Sequence, residues 1–210
     1  MWLFRWYYDT MSEVVYTEKE AVMSEEGIFV YPQKTCEEFQ VEDYDCLILP
    51  GCSDTRQAIQ NKKLKSFLER FSGIKDFIIG AICSGPMFLA QAGLLKEKKY
   101  TDSLFVEMRD QFSFIEEDNF EAAPVVEAGN IITAQGSAFN DFAVHVARKL
   151  GYECPDKILS GYMDNWKKED YIHHLSKEEL QEFQEEFQEL VSKRSIYCFL
   201  YGVLCMNQNQ

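Results

Sequence analysis

Asp76–Ala92 reads DFIIGAICSGPMFLAQA, an apolar run that passes without a linker into a helix start. Phe77 to Ile82 is apolar at every position, which suits a parallel strand buried on both faces. Cys83-Ser84-Gly85-Pro86 follows at once. Pro86 fits a first helical turn, where no backbone N–H is needed. Gly93 fits the left-handed stop of a helix running from about Ser84 to Ala92. Strand, tight turn and helix in this order form a nucleophile elbow, with Cys83 projecting from the turn. The helix start would aim unpaired N–H dipoles at the thiol and stabilise negative charge there. The same N–H groups could hold an oxyanion, and Ala81 and Gly85 leave room for a close approach. A free cysteine in this place also reads as a small buried hydrophobe, and spacing alone leaves both readings open.

Working outward, Asp45-Cys46-Leu47-Ile48-Leu49 is a second apolar run, closed by Pro50-Gly51. Between the two runs Ile59, Leu64, Phe67, Leu68 and Phe71 recur at helical spacing, predicting one or two amphipathic helices over 54–71. Strand, helix, strand is a βαβ unit with a right-handed crossover. Val125-Val126-Glu127 and Asn130-Ile131-Ile132-Thr133 flank Ala128-Gly129 and predict a hairpin. Gly136-Ser137 then leads into a helix from about Ala138 to Leu150, stopped by Gly151. Near the N-terminus, Val14-Val15-Tyr16 and Ile28-Phe29-Val30-Tyr31 are short β-like runs, in the main sheet or in a small hairpin beside it. Ser176–Val191, SKEELQEFQEEFQELV, is a helix with a Ser176/Glu179 capping box. Its stripe of Leu180, Phe183, Phe187 and Leu190 either packs on the parent domain or binds a partner. These elements predict an α/β fold and a single domain over 1–210, with 155–210 as a C-terminal extension.

The 210 residues suffice for one medium domain with a real core. The net charge of −14 argues against nucleic acid and against adhesion to anionic membranes. The apolar run Ile196–Met206 is about half the ~20 residues needed to span a bilayer, and no signal peptide is read at the N-terminus. Seven cysteines, an odd number with no CxxC pair, fit reduced thiols in the cytoplasm. With three histidines, no metal site is expected, and no cofactor is called for. Cys46 alternates within a strand and reads as core. Cys52, just past Pro50-Gly51, could line a pocket shared with Cys83.

Three blocks, DYDCLILPG (Asp43–Gly51), GAICSGPMFLAQAGLLKEKKYT (Gly80–Thr101) and NIITAQGSAFNDFAVHVARKLG (Asn130–Gly151), together resemble the ThiJ/PfpI family of the class I glutamine amidotransferase-like superfamily. The resemblance implies a flavodoxin-like three-layer sandwich with a mainly parallel central sheet, and a homodimer. It implies that Cys83 matches the family's reactive cysteine and that the N–H groups of Gly51 and Ser84 form the oxyanion hole. Members include proteases, chaperones, glyoxalase- or deglycase-like enzymes and hydratases.

The chain departs from that pattern in two places. Where the family carries its catalytic histidine after a Thr, this chain reads Tyr100-Thr101-Asp102-Ser103, and Ser84 fills the alternative histidine position directly after the cysteine. His145 falls inside a helix, and His173 and His174 lie beyond the matched blocks. Asp102 and Ser103 therefore become pocket candidates. The family opens with a strand, a loop bearing a glutamate and a helix. Here Trp2 to Tyr8 matches the strand and Glu13 the glutamate that would partner Cys83, but Val14 already begins a second strand. Ser195–Gly202 resembles the opening strand at the wrong end of the chain. That suggests Ile196–Tyr201 fills the vacant sheet position, the alternative being a terminal helix or an apolar tail.

Two functions follow. In one, the Cys83 thiolate attacks a small carbonyl or amide compound or is itself oxidised. In the other, a non-catalytic family member acts through binding or dimerisation in stress protection. A true glutaminase would need a Cys-His-Glu triad, and no H-x-E follows at the right distance.

Overall fold

The computed structural model describes residues 1–156, 158–159, 167, 172 and 174–192, with the backbone alone for 186–192. The chain forms two compact units, Met1–Gly161 and Tyr162–Gln210.

The first unit begins with helix α1 (Trp2–Tyr7) and four two-residue strands, β1 (Val15–Tyr16), β2 (Val22–Met23), β3 (Phe29–Val30) and β4 (Lys34–Thr35). Then come β5 (Cys46–Leu49), α2 (Arg56–Gln60), α3 (Lys62–Glu69), β6 (Ile78–Ile82) and α4 (Gly85–Gln91). The unit closes with α5 (Val106–Arg109), β7 (Val125–Ala128), β8 (Ile131–Ala134) and α6 (Phe139–Lys149). The central sheet has the order β5-β6-β8-β7, with β5, β6 and β8 parallel and β7 antiparallel at one edge.

The apolar runs become central strands because helices cover both of their faces. Ile79, Ala81, Leu49 and Ile131 pack with Phe67, Leu68, Met87 and Leu89 of α3 and α4. Ile132 and Ala134 pack with Phe142 and Val146 of α6, joined by Ile78 and Ile82. Alternate residues of each strand thus serve opposite layers, as the period of two requires. The architecture is flavodoxin-like, as the family resemblance implies. The helical stretch between β5 and β6 is split at Asn61, whose extended backbone breaks the helix while its Oδ1 accepts from the Leu64 N–H at 3.1 Å.

One expectation for the N-terminus is corrected, and of two alternatives for its short runs the structure selects the one outside the main sheet. Trp2 to Tyr8 is not a strand: residues 2–7 form α1. Leu3 and Phe4, adjacent in sequence, both pack in the cluster formed with Val144, Ala147 and Cys154. A helix allows this, whereas a strand would send neighbouring side chains to opposite faces. The short runs near Val15 and Phe29 stay outside the central sheet. β1 pairs in parallel with β4, and β2 with β3 as a small hairpin.

In the second unit, α7 (Lys177–Ser192) starts with the capping box. The Glu179 N–H donates to Ser176 Oγ at 3.1 Å and the Ser176 N–H to Glu179 Oε2 at 2.7 Å. The side chains of Phe187 and Leu190, and the whole of Ile196–Tyr201, lie outside the described residues.

Gly80 tests the packing between the sheet and α6. A Cβ there would stand 2.7 Å from Phe142 Cζ and 2.8 Å from Ile48 Cδ1. Gly80→Ala is expected to destabilise the fold by about 1–3 kcal/mol, read as a lower urea midpoint at unchanged slope. Trimming the neighbour in Gly80→Ala/Phe142→Leu should recover part of that loss.

Candidate active site

β6 ends at Ile82, and the next residue turns the chain sharply. Cys83 has φ +62°, the left-handed region that a non-glycine residue enters at a cost of about 1–3 kcal/mol. Its backbone is clamped on both sides: its N–H donates to the Ala134 carbonyl at 2.9 Å, and its carbonyl accepts from the Ser103 N–H at 3.0 Å.

The parallel register sets Leu49 opposite Ala81, which carries Pro50 and Gly51 directly against this turn. A Cβ on Gly51 would lie 2.5 Å from Cys83 Cβ and 2.9 Å from the Ser84 nitrogen. Only glycine fits between two backbones that close. The buried Ser84 hydroxyl locks the contact, accepting from the Cys52 N–H at 2.8 Å and donating to the Cys52 carbonyl at 2.8 Å. The structure therefore brings Gly51, Cys52, Cys83 and Ser84 together. Among the described residues, the N–H groups of Gly51 and Ser84 have no acceptor.

Ser103 belongs to the same cluster. Its Oγ accepts from the Gly136 N–H at 2.8 Å, and a Cβ on Gly136 would meet Cys83 Sγ at 3.2 Å and Ser103 Oγ at 3.6 Å. Gly136, read from sequence as a helix leader within the third matched block, is thus a close neighbour of the thiol. Cys83 is half-buried.

Asp102 faces elsewhere. Its Oδ1 accepts from the Leu104 N–H at 3.0 Å and from Arg109 at 2.9 Å. Arg109 also donates to Glu117 at 2.7 Å and lies over the Phe120 ring, 4.0 Å from its centroid. Burial pushes the Asp102 carboxyl up despite these partners. Its Oδ2 and the Tyr100 hydroxyl are buried without a hydrogen bond among the described residues. Nothing in the sequence flagged Arg109, which sits in a stretch that reads as polar and irregular.

Glu13 is not at the thiol. Its carboxylate is held by the Tyr44 hydroxyl and lies 3.6 Å from Lys34 Nζ. The Tyr44 bond, ahead of Lys34, keeps it below the usual carboxylate range. The cause is topological: Glu13 leads into β1, which pairs with β4 outside the central sheet. His145 does not reach the elbow either; its Nδ1 bonds Glu127 on the edge strand β7 at 2.7 Å. His174 belongs to the second unit, and His173 lies outside the described residues.

Cys52 Sγ lies 3.9 Å from Ser84 Oγ, and burial pushes its thiol up. Burial also pushes Cys36 up to about 11 and Cys46 up to about 12. Among the described residues no group of three or more His, Cys, Asp or Glu side chains is placed to hold a metal ion, and no helix is long and apolar enough to cross a membrane.

A family model described as the DJ-1/PfpI family matches residues 8–149, which include the whole cluster around Cys83. The chain belongs to the DJ-1/PfpI family. It is 29% identical over 159 residues to the uncharacterized protease YoaZ of Bacillus subtilis, covering 75% of each chain. To protein DJ-1alpha of Drosophila melanogaster it is 28% identical over 153 residues, covering 70% of this chain and 68% of the relative. Among solved structures, a DJ-1 superfamily protein of Agrobacterium tumefaciens shares the fold with a TM-score of 0.65 at 22% identity, over 89% of this chain and 88% of that one. A mutant of a DJ-1 superfamily protein of Salmonella typhimurium matches with a TM-score of 0.56 at 30% identity, over 69% of this chain and 77% of that one. Within this DJ-1/PfpI framework, the segment after α4 that resembles the family's histidine site is held by a buried ion pair between Asp102 and Arg109.

Arg109→Ala tests that pair. It leaves Asp102 buried without its cation, for an expected loss of about 3–5 kcal/mol at pH 7. Asp102 already lies above the ordinary carboxylate value in the folded chain, and losing Arg109 raises it further. The loss is therefore complete above that raised value and fades as the pH falls through it, when the carboxyl takes a proton. Urea unfolding of parent and variant at neutral and acidic pH should show the gap narrowing.

Proposed function

We propose that Cys83 is the reactive group of this DJ-1/PfpI protein and that it captures small carbonyl compounds. The observation that carries the reading is the pairing of a half-buried thiol with two unoccupied backbone donors, Gly51 and Ser84, across a contact too close for any side chain. In the step proposed, the Cys83 thiolate attacks the carbonyl carbon and a C–S bond forms. The carbonyl π pair moves to oxygen, and the resulting oxyanion rests against the two N–H groups. A proton from water then completes a hemithioacetal. Ser103 and Gly136 bound the space beside the sulfur, and Cys52 Sγ stands 3.9 Å from Ser84 Oγ.

No histidine bonds the thiol among the described residues, and this favours capture over rapid turnover. Loss of a positioned acid–base group slows proton transfer by about 10²–10⁴-fold. It also favours a second reading, in which peroxide oxidises Cys83 to a sulfenic acid with release of water. In either reading the chain works as a homodimer in the cytoplasm. Support for that compartment comes from the described cysteines, Cys36, Cys46, Cys52, Cys83 and Cys154, all of which are free thiols.

Timed iodoacetamide labelling, read by peptide mass spectrometry at near-neutral pH, tests the proposal. Cys83 should label at least about tenfold faster than Cys36 and Cys46, whose thiols burial holds neutral. Methylglyoxal should protect Cys83 from labelling in a concentration-dependent way and leave Cys154 unprotected. A Cys83 that labels no faster than glutathione, or that methylglyoxal leaves unprotected, would remove the basis for carbonyl capture.

A further inference from the structure

The end of the sheet remote from Cys83 carries a cavity of about 710 Å³, bordered by the start of β6, the β7–β8 turn and the loop after α4. Phe71, Ile74, Ile78, Leu94 and Ile131 give it an apolar floor, and Lys75, Lys96, Lys98, Lys99 and Lys149 give it a cationic rim. The length of β6 separates it from Cys83 by roughly 15 Å.

The charge of this cavity runs against that of the chain. Overall there are 21 Lys and Arg against 35 Asp and Glu. Around the cavity, five lysines face two acidic residues, Glu97 and Glu127. Glu127 is already engaged, by Lys149 at 3.1 Å and His145 at 2.7 Å. Elsewhere several lysines are paired: Lys19 with Glu38, Lys63 with Glu18, Lys65 with Glu69. By contrast Lys75, Lys96, Lys98 and Lys99 have no carboxylate partner among the described residues. Lys98 donates to the Leu94 carbonyl at 2.9 Å and Lys99 to the Asp118 carbonyl at 3.1 Å, which leaves each ammonium with hydrogens to give. Burial without a counter-charge pulls Lys98 down, the condition that a bound anion would relieve.

We propose that this cavity binds a compact polyphosphate, free or as the phosphate chain of a nucleotide. Several lysines without carboxylate partners around one concavity create a local positive potential in an acidic protein. The lining contains no guanidinium, the group suited to forked recognition of a planar carboxylate. Ammonium point charges suit instead the distributed charge of linked phosphates, and the apolar floor would accept the body of a nucleotide.

Calorimetric titration of the whole chain at low ionic strength, with sodium tripolyphosphate and with magnesium-free ATP as probes, tests this. One-to-one binding is expected. The variant Lys75→Gln/Lys96→Gln/Lys99→Gln should weaken it by about tenfold or more, while Lys19→Gln/Lys63→Gln/Lys65→Gln, with the same change in net charge, should weaken it less than about threefold. Urea midpoints confirm that both variants are folded. Tighter binding of ATP assigns the cavity to a nucleotide, and tighter binding of tripolyphosphate to the free anion. No binding of either probe at about 1 mM, or equal weakening by both variants, overturns the proposal. Iodoacetamide labelling of Cys83 should be unchanged at saturating probe, so failure here and failure of carbonyl capture are read separately.

Discussion

The site depends on one steric constraint, the approach of the Gly51 backbone to the turn at Cys83. A β-carbon at residue 51 would sit 2.5 Å from Cys83 Cβ. The constraint comes from the parallel register of β5 and β6, which sets Leu49 opposite Ala81 and so brings Gly51, two residues on, level with Cys83. Held there, Cys83 keeps its left-handed backbone because its N–H and carbonyl are tied to Ala134 and Ser103. Neighbours that over-determine a conformation are what let local strain persist. The Ser84 hydroxyl, bonded twice to Cys52, turns the approach into a fixed joint.

Around that joint the free donors are backbone N–H groups, those of Gly51 and Ser84, which have no acceptor among the described residues. The segment following α4 holds no imidazole near the thiol. It holds Asp102 and Arg109, buried together and extended to Glu117 at the surface. Such a pair fixes the course of residues 100–109, and through Ser103 it fixes the wall beside the sulfur. It also removes Asp102 from acid–base work, since the carboxylate is spent on Arg109 and the Leu104 N–H. On the reading proposed for Cys83, a thiol beside free backbone donors but no histidine among the described residues is better suited to forming an adduct than to cycling through many.

The two ends of the sheet are electrostatically unlike. At the Cys83 end, partial positive charge comes from N–H groups that cannot move. At the other end it comes from lysine side chains, whose attraction is screened by salt. The acidic surface elsewhere sharpens the second feature, because an unpaired group of ammonium ions stands out most where carboxylates outnumber cations.

The sequence by itself determined the βαβ core, the elbow, the β7–β8 hairpin and the capping box of α7. Each is announced by residues close together in the chain: an apolar run ended by glycine or proline, a Gly129 turn, a Ser176/Glu179 spacing. Resemblance added Gly51 and Ser84, and the structure sets the Gly51 backbone against the turn at Cys83 and Ser84. Only the tertiary structure decided that Trp2–Tyr7 is a helix, since a short aromatic run carries no clear period and it is packing on α6 that selects the form. It alone sent Glu13 to Tyr44 and Lys34, paired Asp102 with Arg109, and set Gly136 beside the sulfur. These contacts join residues distant along the chain or buried within an irregular stretch. Their strength depends on separation in space and on burial, neither of which a linear order of residue types contains.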